Sequence, residues 1–420
     1  MFWEDKTEVL VVGAGPVGMV TALLLAKGGV SVRIIDQEWH AAAHSYACAL
    51  HPRALALLQQ LGVGAEVLRL GRRIDTVAFY EGERRRAELK LAALGGEFPF
   101  MVVVPQDVFE GILERRLYQQ ARVKVHWNHR LAALDSEHGT AVASIERLGE
   151  TAHGYGVPDW DWTVEKTLQT RAEFVIGADG HNSRVRQVLG LEFDQAGPVE
   201  AFEVHEFECE RDLENEVRVV LDSATTNVMW PLADRRCRWG FQVPPAASGK
   251  GFPSKERQAI VFAQDAVNQE TRQRVQQLLQ TRAPWFKAGV KEFDWSAQVQ
   301  FERRVVKSYG RDRCWLAGDA AHQTSPVGMQ SMNAGLREAE ELAMAMVQIV
   351  RQGAAPDLLG AYQDRSREEW LRLLGLKRIL KAGAQTDAWV KERCARMLPC
   401  LPGVGDDLGR LANQLGLAFE

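Results

Sequence analysis

The sequence predicts an α/β fold: a parallel sheet opened by a βαβ unit, an inserted antiparallel sheet, and helices at the C-terminal end. Three observations carry this. A β-branched run, Val9-Leu10-Val11-Val12, ends at Gly13, and a helical stretch and a second strand follow by Asp36. Residues 199–243 read as antiparallel strands. Residues 356–420 read mostly as helix.

The elements follow in order. Val9–Val12 is uncharged on both faces, as a buried parallel strand requires. Residues 16–27 form a helix with Pro16 in its first turn and Gly28-Gly29 as its stop. Ser31 to Asp36 is the second strand. Residues 52–62 read as a helix ending at Gly62, 74–104 as strands, and 107–121 as a helix. Strands follow near 123–127, 141–147 and 163–168, with a turn-rich loop, Gly154 to Trp160, between the last two. Phe174-Val175-Ile176-Gly177 is a further buried strand. Residues 254–282, rich in Gln and Arg, read as one or two helices. Strand-like sequence returns at 298–306 and 314–317. A long helix begins near Asn333, with Leu336, Ala339, Leu342, Ala343, Met346 and Val350 at helical spacing. The basic stretch 365–381 reads as the solvated face of an amphipathic helix.

Composition narrows the function classes. The chain has 420 residues, 46% hydrophobic and 25% charged, as a soluble globular protein of two domains and a helical appendage would. Fifty-one basic against 55 acidic residues leave a net charge of −4, so no global basic field attracts nucleic acid. The six cysteines are scattered with no CxxC pair, which argues against a zinc site and a disulfide framework. Free thiols suit a cytoplasmic location. Val9 to Ala26 is uncharged and long enough to suggest a membrane segment. Acidic Glu4, Asp5 and Glu8 precede it, and Gly13, Gly15, Pro16 and Gly18 interrupt it, so no targeting or integral membrane segment is read.

Three motifs carry chemistry. The first is Gly13-Ala14-Gly15-Pro16-Val17-Gly18. Gly13 allows the tight turn, Gly15 admits a pyrophosphate to the backbone, and Gly18 lets helix and strand pack closely. The helix N-terminus offers N–H groups to phosphate. Asp36, ending the second strand, suits ribose hydroxyls and repels a 2′-phosphate, which points to FAD or NAD. The second motif, Val175 to Arg186, reads as a strand, a turn at Asp179-Gly180, and a helix capped by Asn182 or Ser183. The third is Gly318-Asp319-Ala320-Ala321-His322, followed by Ser325 to Gly335. A strand delivers Asp319 at its C-terminal end, and the Pro326–Gly328 loop opens the long helix.

In this order the motifs resemble the para-hydroxybenzoate hydroxylase-like (class A) FAD-dependent monooxygenases, over about residues 8–350. The resemblance implies a Rossmann-like FAD-binding domain of the GR2 type, with an inserted antiparallel β-sheet substrate domain and C-terminal helices. It places the FAD-binding domain at 1–72, 105–190 and 303–352, the substrate-binding domain at 73–104 and 191–302, and a helical segment at 353–420. The first motif would hold the ADP half of FAD. Asp179-Gly180 would line the path of FAD and NAD(P)H, and Gly318-Asp319 would contact the ribityl chain. Gln106, after Pro105, matches the family's flavin-contacting glutamine. Pro326, Gly328, Met332 and Asn333 form the flavin loop. Departures occur at Ser325, where a proline is common, at Met329 and Ser331 in that loop, and at Tyr46-Ala47-Cys48-Ala49, where many members carry Arg-Ala-x-Gly.

The activity so implied is hydroxylation of a phenolic or polycyclic aromatic small molecule with NADPH or NADH and O₂, through a C4a-hydroperoxyflavin. It requires no metal and no side-chain nucleophile. The long helix, beginning near Met332 and Asn333, would stabilise the anionic reduced flavin. His322 reads as structural. Phe98, Phe100, Trp230, Trp239 and Phe241 are candidates for an aromatic substrate wall. A reductase of the geranylgeranyl-reductase type and a flavin halogenase are the alternatives. For the halogenase, Trp160-Asp161-Trp162-Thr163-Val164 matches only part of the expected motif. No pattern encodes oligomeric state.

Overall fold

Strand ends, not strand order alone, decide where this protein can bind a ligand. In the computed structural model, which describes residues 4–40, 49–137, 139–153, 159–244, 258–262 and 269–420, an eight-stranded sheet carries the chain's first βαβ unit. Val123–His126, Val32–Ile35, Glu4–Val12, Asp159–Gly177 and Cys314–Leu316 lie side by side and parallel. Register sets Ile35 and Gly177 opposite Val12, and Leu316 opposite Gly177. Asp36, Gly13, Ala178 and Ala317 therefore leave the sheet at the same edge. That carboxyl edge is where parallel sheets bind ligands.

The helix Pro16–Lys27 and the long helix Gln330–Gln352 pack together over this sheet. Val9–Val11 are completely buried, so the apolar stretch 9–26 is one core strand and one packed helix. No described helix is long and apolar enough to cross a membrane.

A second eight-stranded sheet has the order Gln258–Phe262, Phe293–Phe301, Glu200–Glu208, Arg236–Val243, Thr226–Pro231, Glu216–Leu221, Thr76–Glu81, Arg84–Lys90. Its neighbours are antiparallel except Glu216–Leu221 with Thr76–Glu81, which run parallel. The parallel join arises because the 76–90 hairpin enters from a distant part of the chain. Helix Gln269–Arg282 covers one face through Val275, Leu278 and Leu279.

Several elements depart from the sequence reading. Residues 159–177 are one strand, held between Thr140–His153 and Glu4–Val12, where two short ones were expected. Residues 258–262 pair as an edge strand, not a helix; the run Ile260-Val261-Phe262 favours extended backbone. The long helix starts at Gln330, three residues before Asn333. The amphipathic helix expected over 365–381 stops at Leu373, because Gly375 takes a φ of +71°. Leu380–Ala382 then pairs with Leu417–Phe419. Tyr46 to Cys48 and the loop 154–158 lie outside the described residues, as does the Trp160 side chain.

Candidate functional site

Each motif loop reaches the shared sheet edge, and close backbone packing brings the three together. Gly13 has a φ of +105°, and a Cβ there would lie 2.2 Å from the Ala178 carbonyl oxygen. The first motif thus rests directly on the second. A Cβ on Gly18 would meet the Gly13 carbonyl at 2.0 Å, which explains a glycine in the first turn of the helix. Gly335 brings in the third motif: its Cβ would approach Val17 Cγ2 at 2.8 Å and Gly318 Cα at 3.0 Å.

The result is a cavity of about 920 Å³. Of the sequence-predicted positions, Gly13, Gly15, Pro16, Val17, Asp36, Gln106, Asp179, Gly180, Asp319, Pro326 and Met332 line it. Gly18, Gly318, Gly328 and Asn333 do not. Gly18 and Gly318 serve the packing just described. Asn333 is buried and joins two chain segments: its Oδ1 accepts the His51 amide at 2.8 Å, and its Nδ2 donates to Ala49 O at 2.9 Å. Its side chain is therefore engaged away from the cavity.

The first motif fits a dinucleotide. Helix Pro16–Lys27 begins at Gly15 with no side-chain cap, so its leading N–H groups face the cavity unclaimed by side chains. No protein atom lies within 4 Å of a Cβ built on Gly15, which leaves space against that backbone. Asp36 Oδ2 accepts the Ala14 amide at 2.6 Å and Oδ1 the Glu38 amide at 2.9 Å. Burial raises its carboxyl above the ordinary range, and these amides oppose the shift.

The second motif is an internally bonded turn. Asp179 accepts the Ser183 hydroxyl at 2.6 Å, the Arg184 amide at 2.6 Å and the Val185 amide at 3.0 Å. Burial raises this carboxyl too, against those bonds. Ser183 caps the helix Arg184–Val188, as expected, by accepting the Arg186 amide. Arg186 was not singled out in the sequence. It donates to Ala320 O and His181 O, each at 2.8 Å, and lies 4.0 Å over the Phe193 ring. Its place inside the quoted motif was the available signal.

In the third motif, the Ser331 hydroxyl donates to Asp319 Oδ1. His322 is fully buried and stacks on Trp370, with 3.7 Å between ring centroids. It does not line the cavity. Gln106 Nε2 donates to Glu110 Oε1 at 2.7 Å, and both residues do line it. Among the described residues, no group of His, Cys, Asp and Glu is arranged to hold a metal ion.

The five side chains expected to form an aromatic substrate wall lie away from this cavity. None of Phe98, Phe100, Trp230, Trp239 and Phe241 lines the cavity. Trp239 and Phe241 stack 5.0 Å apart in the core beneath helix Gln269–Arg282, joined by Phe286. Trp230 is buried in the main core, and Phe98 and Phe100 pack edge to face. The physical reason is strand parity: residues 239 and 241 share one face of their strand, and that face meets the helix. Apolar side chains that do line the cavity include Val17, Ile35, Trp127 and Leu131, and, from later in the chain, Phe193, Val299, Phe301, Met329 and Met332. Phe193 and Phe301 sit on strands whose aromatic residues the sequence does not distinguish from core.

Comparison with known proteins agrees with this geometry. Pentachlorophenol 4-monooxygenase of Sphingobium chlorophenolicum is 26% identical over 357 residues, 84% of this chain and 60% of that protein. For 6-methylpretetramide 4-monooxygenase of Streptomyces rimosus the identity is 28%, covering 90% of this chain and 62% of that protein. The chain thus spans about three fifths of the length of these two relatives. Para-nitrophenol 4-monooxygenase of Pseudomonas sp. strain WBC-3 is 24% identical, with 88% and 84% covered. The crystal structure of p-nitrophenol 4-monooxygenase PnpA from Pseudomonas putida DLL-E4 shares the fold, with a TM-score of 0.74 at 22% identity over 94% of this chain and 93% of that one. Residues 6–373, which contain all three motifs and every cavity residue named above, match the family described as FAD binding domain. The glycine loop, Asp36 and residues of the two later motifs line one cavity inside the matched span, and the chain belongs to this FAD-binding family.

Proposed function

We propose that this chain is an aromatic hydroxylase that uses FAD, NADPH or NADH, and O₂ to place one oxygen atom on a phenolic or polycyclic small molecule. One observation carries the reading: a single cavity is lined both by the dinucleotide motifs and by Phe193, Phe301, Met329 and Met332. An apolar, partly aromatic lining beside a redox cofactor suits a flat hydrophobic substrate. The names of the phenol monooxygenase relatives support the same substrate class. FAD, once bound and reduced, supplies the oxygen-activating chemistry.

The chain's own residues supply placement and electrostatics. Gly13–Gly18 and Asp36 hold the ADP half. Asp179-Gly180, Asp319 and Gln106 border the remainder of the cofactor. Helix Gln330–Gln352 begins after Met329, whose φ is +51°, and no side chain caps it. Its N-terminal amides and dipole favour negative charge on the reduced ring. The division into an FAD-binding part (1–72, 105–190, 303–352), a substrate part (73–104, 191–302) and a C-terminal segment (353–420) belongs to this reading. So does a cytoplasmic setting, where NAD(P)H is supplied.

The test incubates FAD-loaded protein with NADH or NADPH, ¹⁸O₂ and a panel of phenols. One ¹⁸O atom in a product, with stoichiometric NAD(P)H oxidation, is the expected result. Hydride transfer to a substrate double bond without label would replace the hydroxylase with a reductase. Incorporation of added chloride would replace it with a halogenase.

A further inference from the structure

Part of the loop that opens the long helix faces away from the cavity, toward the C-terminal segment. Gln330 is completely buried, and its Nε2 donates to Leu398 O at 3.1 Å and Leu401 O at 3.0 Å. Both acceptors are carbonyls, so the donor nitrogen of the amide must face them. Gly328 packs on the same turn: a Cβ there would lie 2.6 Å from Pro399 O and 3.0 Å from Leu401 O. The helix before this turn, Ala388–Met397, is anchored on the second sheet. Arg396 Nη1 donates to Asp222 O at 2.7 Å and Nη2 to Thr226 Oγ1 at 3.2 Å, while Arg393 pairs with Glu81. On the other flank, His51 Nε2 donates to Gly328 O at 3.0 Å, and Asn333 Nδ2 donates to Met329 O at 2.8 Å.

We propose that the C-terminal turn 398–401 clamps the loop 326–330 to the second sheet, with Gln330 as the positioning residue that sets where the helix N-terminus meets the cofactor ring. The proposal rests on the reading that this loop borders the flavin. Gln330 is the first residue of the helix, and its neighbours Met329, Ser331 and Met332 line the cavity. A shift of Gln330 toward or away from the turn moves those groups and the helix amides together. The C-terminal segment thereby tunes the redox centre from outside the cavity. A glutamine can do this because one amide nitrogen donates to two carbonyls at once; methionine fills the same space with no donor, and glutamate presents oxygens to oxygens.

The test compares the full-length protein with Gln330→Met and Gln330→Glu. Gly328→Ala loads the same contact from the other side, in case a Gln330 variant fails to fold. Hydrogen exchange on the FAD-free protein is followed at 326–335 and 396–404, with Val9–Val12 as the internal reference. The midpoint potential and visible spectrum of bound FAD are then measured. Loss of the paired bonds is expected to speed exchange roughly tenfold at both segments while the reference strand is unchanged. The flavin potential and absorption bands should shift with it, which a purely structural contact would not cause. Faster exchange at 326–335 alone, or an unaltered flavin potential, overturns the proposal. Protein that takes up no FAD defeats the functional reading instead, and the exchange experiment still decides whether the clamp exists.

Discussion

Glu338 Oε2 lies 2.7 Å from His322 Nε2 and also accepts the Gly318 amide at 2.9 Å, so one buried carboxyl joins the long helix to both ends of the Gly-Asp motif. Its Oε1 accepts the Trp370 indole N–H at 3.1 Å, and Trp370 stacks on His322. His322 is therefore held in a structural cluster. Glu338 is buried beside Leu336 and Ala339 of its helix.

Removing this carboxyl strands three buried donors. Glu338→Ala is expected to destabilise the protein by about 3–5 kcal/mol, as loss of one partner from a buried hydrogen-bonded network does. FAD affinity should fall as well, because Gly318 and Asp319 lose their anchor. Urea unfolding and flavin-fluorescence titration measure the two effects. Unchanged stability would show that the cluster does not hold the motif.

The first glycine loop separates folding from binding. A methyl at Gly15 meets no protein atom within 4 Å, and the residue's φ of −74° suits any amino acid. Gly15→Ala should therefore leave the FAD-free protein within about 0.5 kcal/mol of the parent. The same methyl occupies the space against which the pyrophosphate packs, so FAD affinity should drop roughly tenfold or more, about 1.4 kcal/mol. Gly13→Ala should fail on both counts, since its Cβ would strike the Ala178 carbonyl. Thermal melts with and without FAD distinguish the two variants.

Burial lowers the His51 imidazole from 6.5 to about 3, against the opposing effect of its bond to Gly328 O. The unfolded chain takes up this proton near pH 6.5 and the folded chain refuses it. Stability from this group is therefore complete above that pH and declines as pH falls toward 3, by up to about 1.4 kcal/mol per pH unit. His51→Gln does not titrate, so its unfolding free energy should depend less steeply on pH between 6.5 and 4. Parallel slopes for the two proteins would reject this assignment.

Phe241, in the core, and Phe301, on the cavity wall, make opposite predictions. Phe241→Ala empties part of a core stacked on Trp239, and should cost about 3–5 kcal/mol with little change in KM for a phenol that the protein turns over. Phe301→Ala removes a half-buried ring from the cavity wall, and should raise KM roughly tenfold at a smaller loss of stability. Steady-state kinetics beside chemical denaturation separates them. A KM effect confined to Phe241 would return that residue to the substrate wall.

Local chemistry in the chain determined the βαβ start, the glycine loop, Asp36 and the Asp-Gly and Gly-Asp motifs, and hence a dinucleotide site; that the dinucleotide is FAD came from the resemblance the three motifs carry together. Each depends on short-range rules: β-branched runs extend, glycines admit close backbone, and helix N-termini attract phosphate. Only the tertiary structure decided which side chains share the cavity. Residues 239 and 241 are apolar in either reading, and their burial depends on which strand face meets the helix Gln269–Arg282. The pairings of Gln330 with Leu398 and Leu401, and of Glu338 with His322 and Gly318, join residues that no local pattern links. Buried polar groups must find partners wherever the folded chain places them, and that placement is a property of the packed whole.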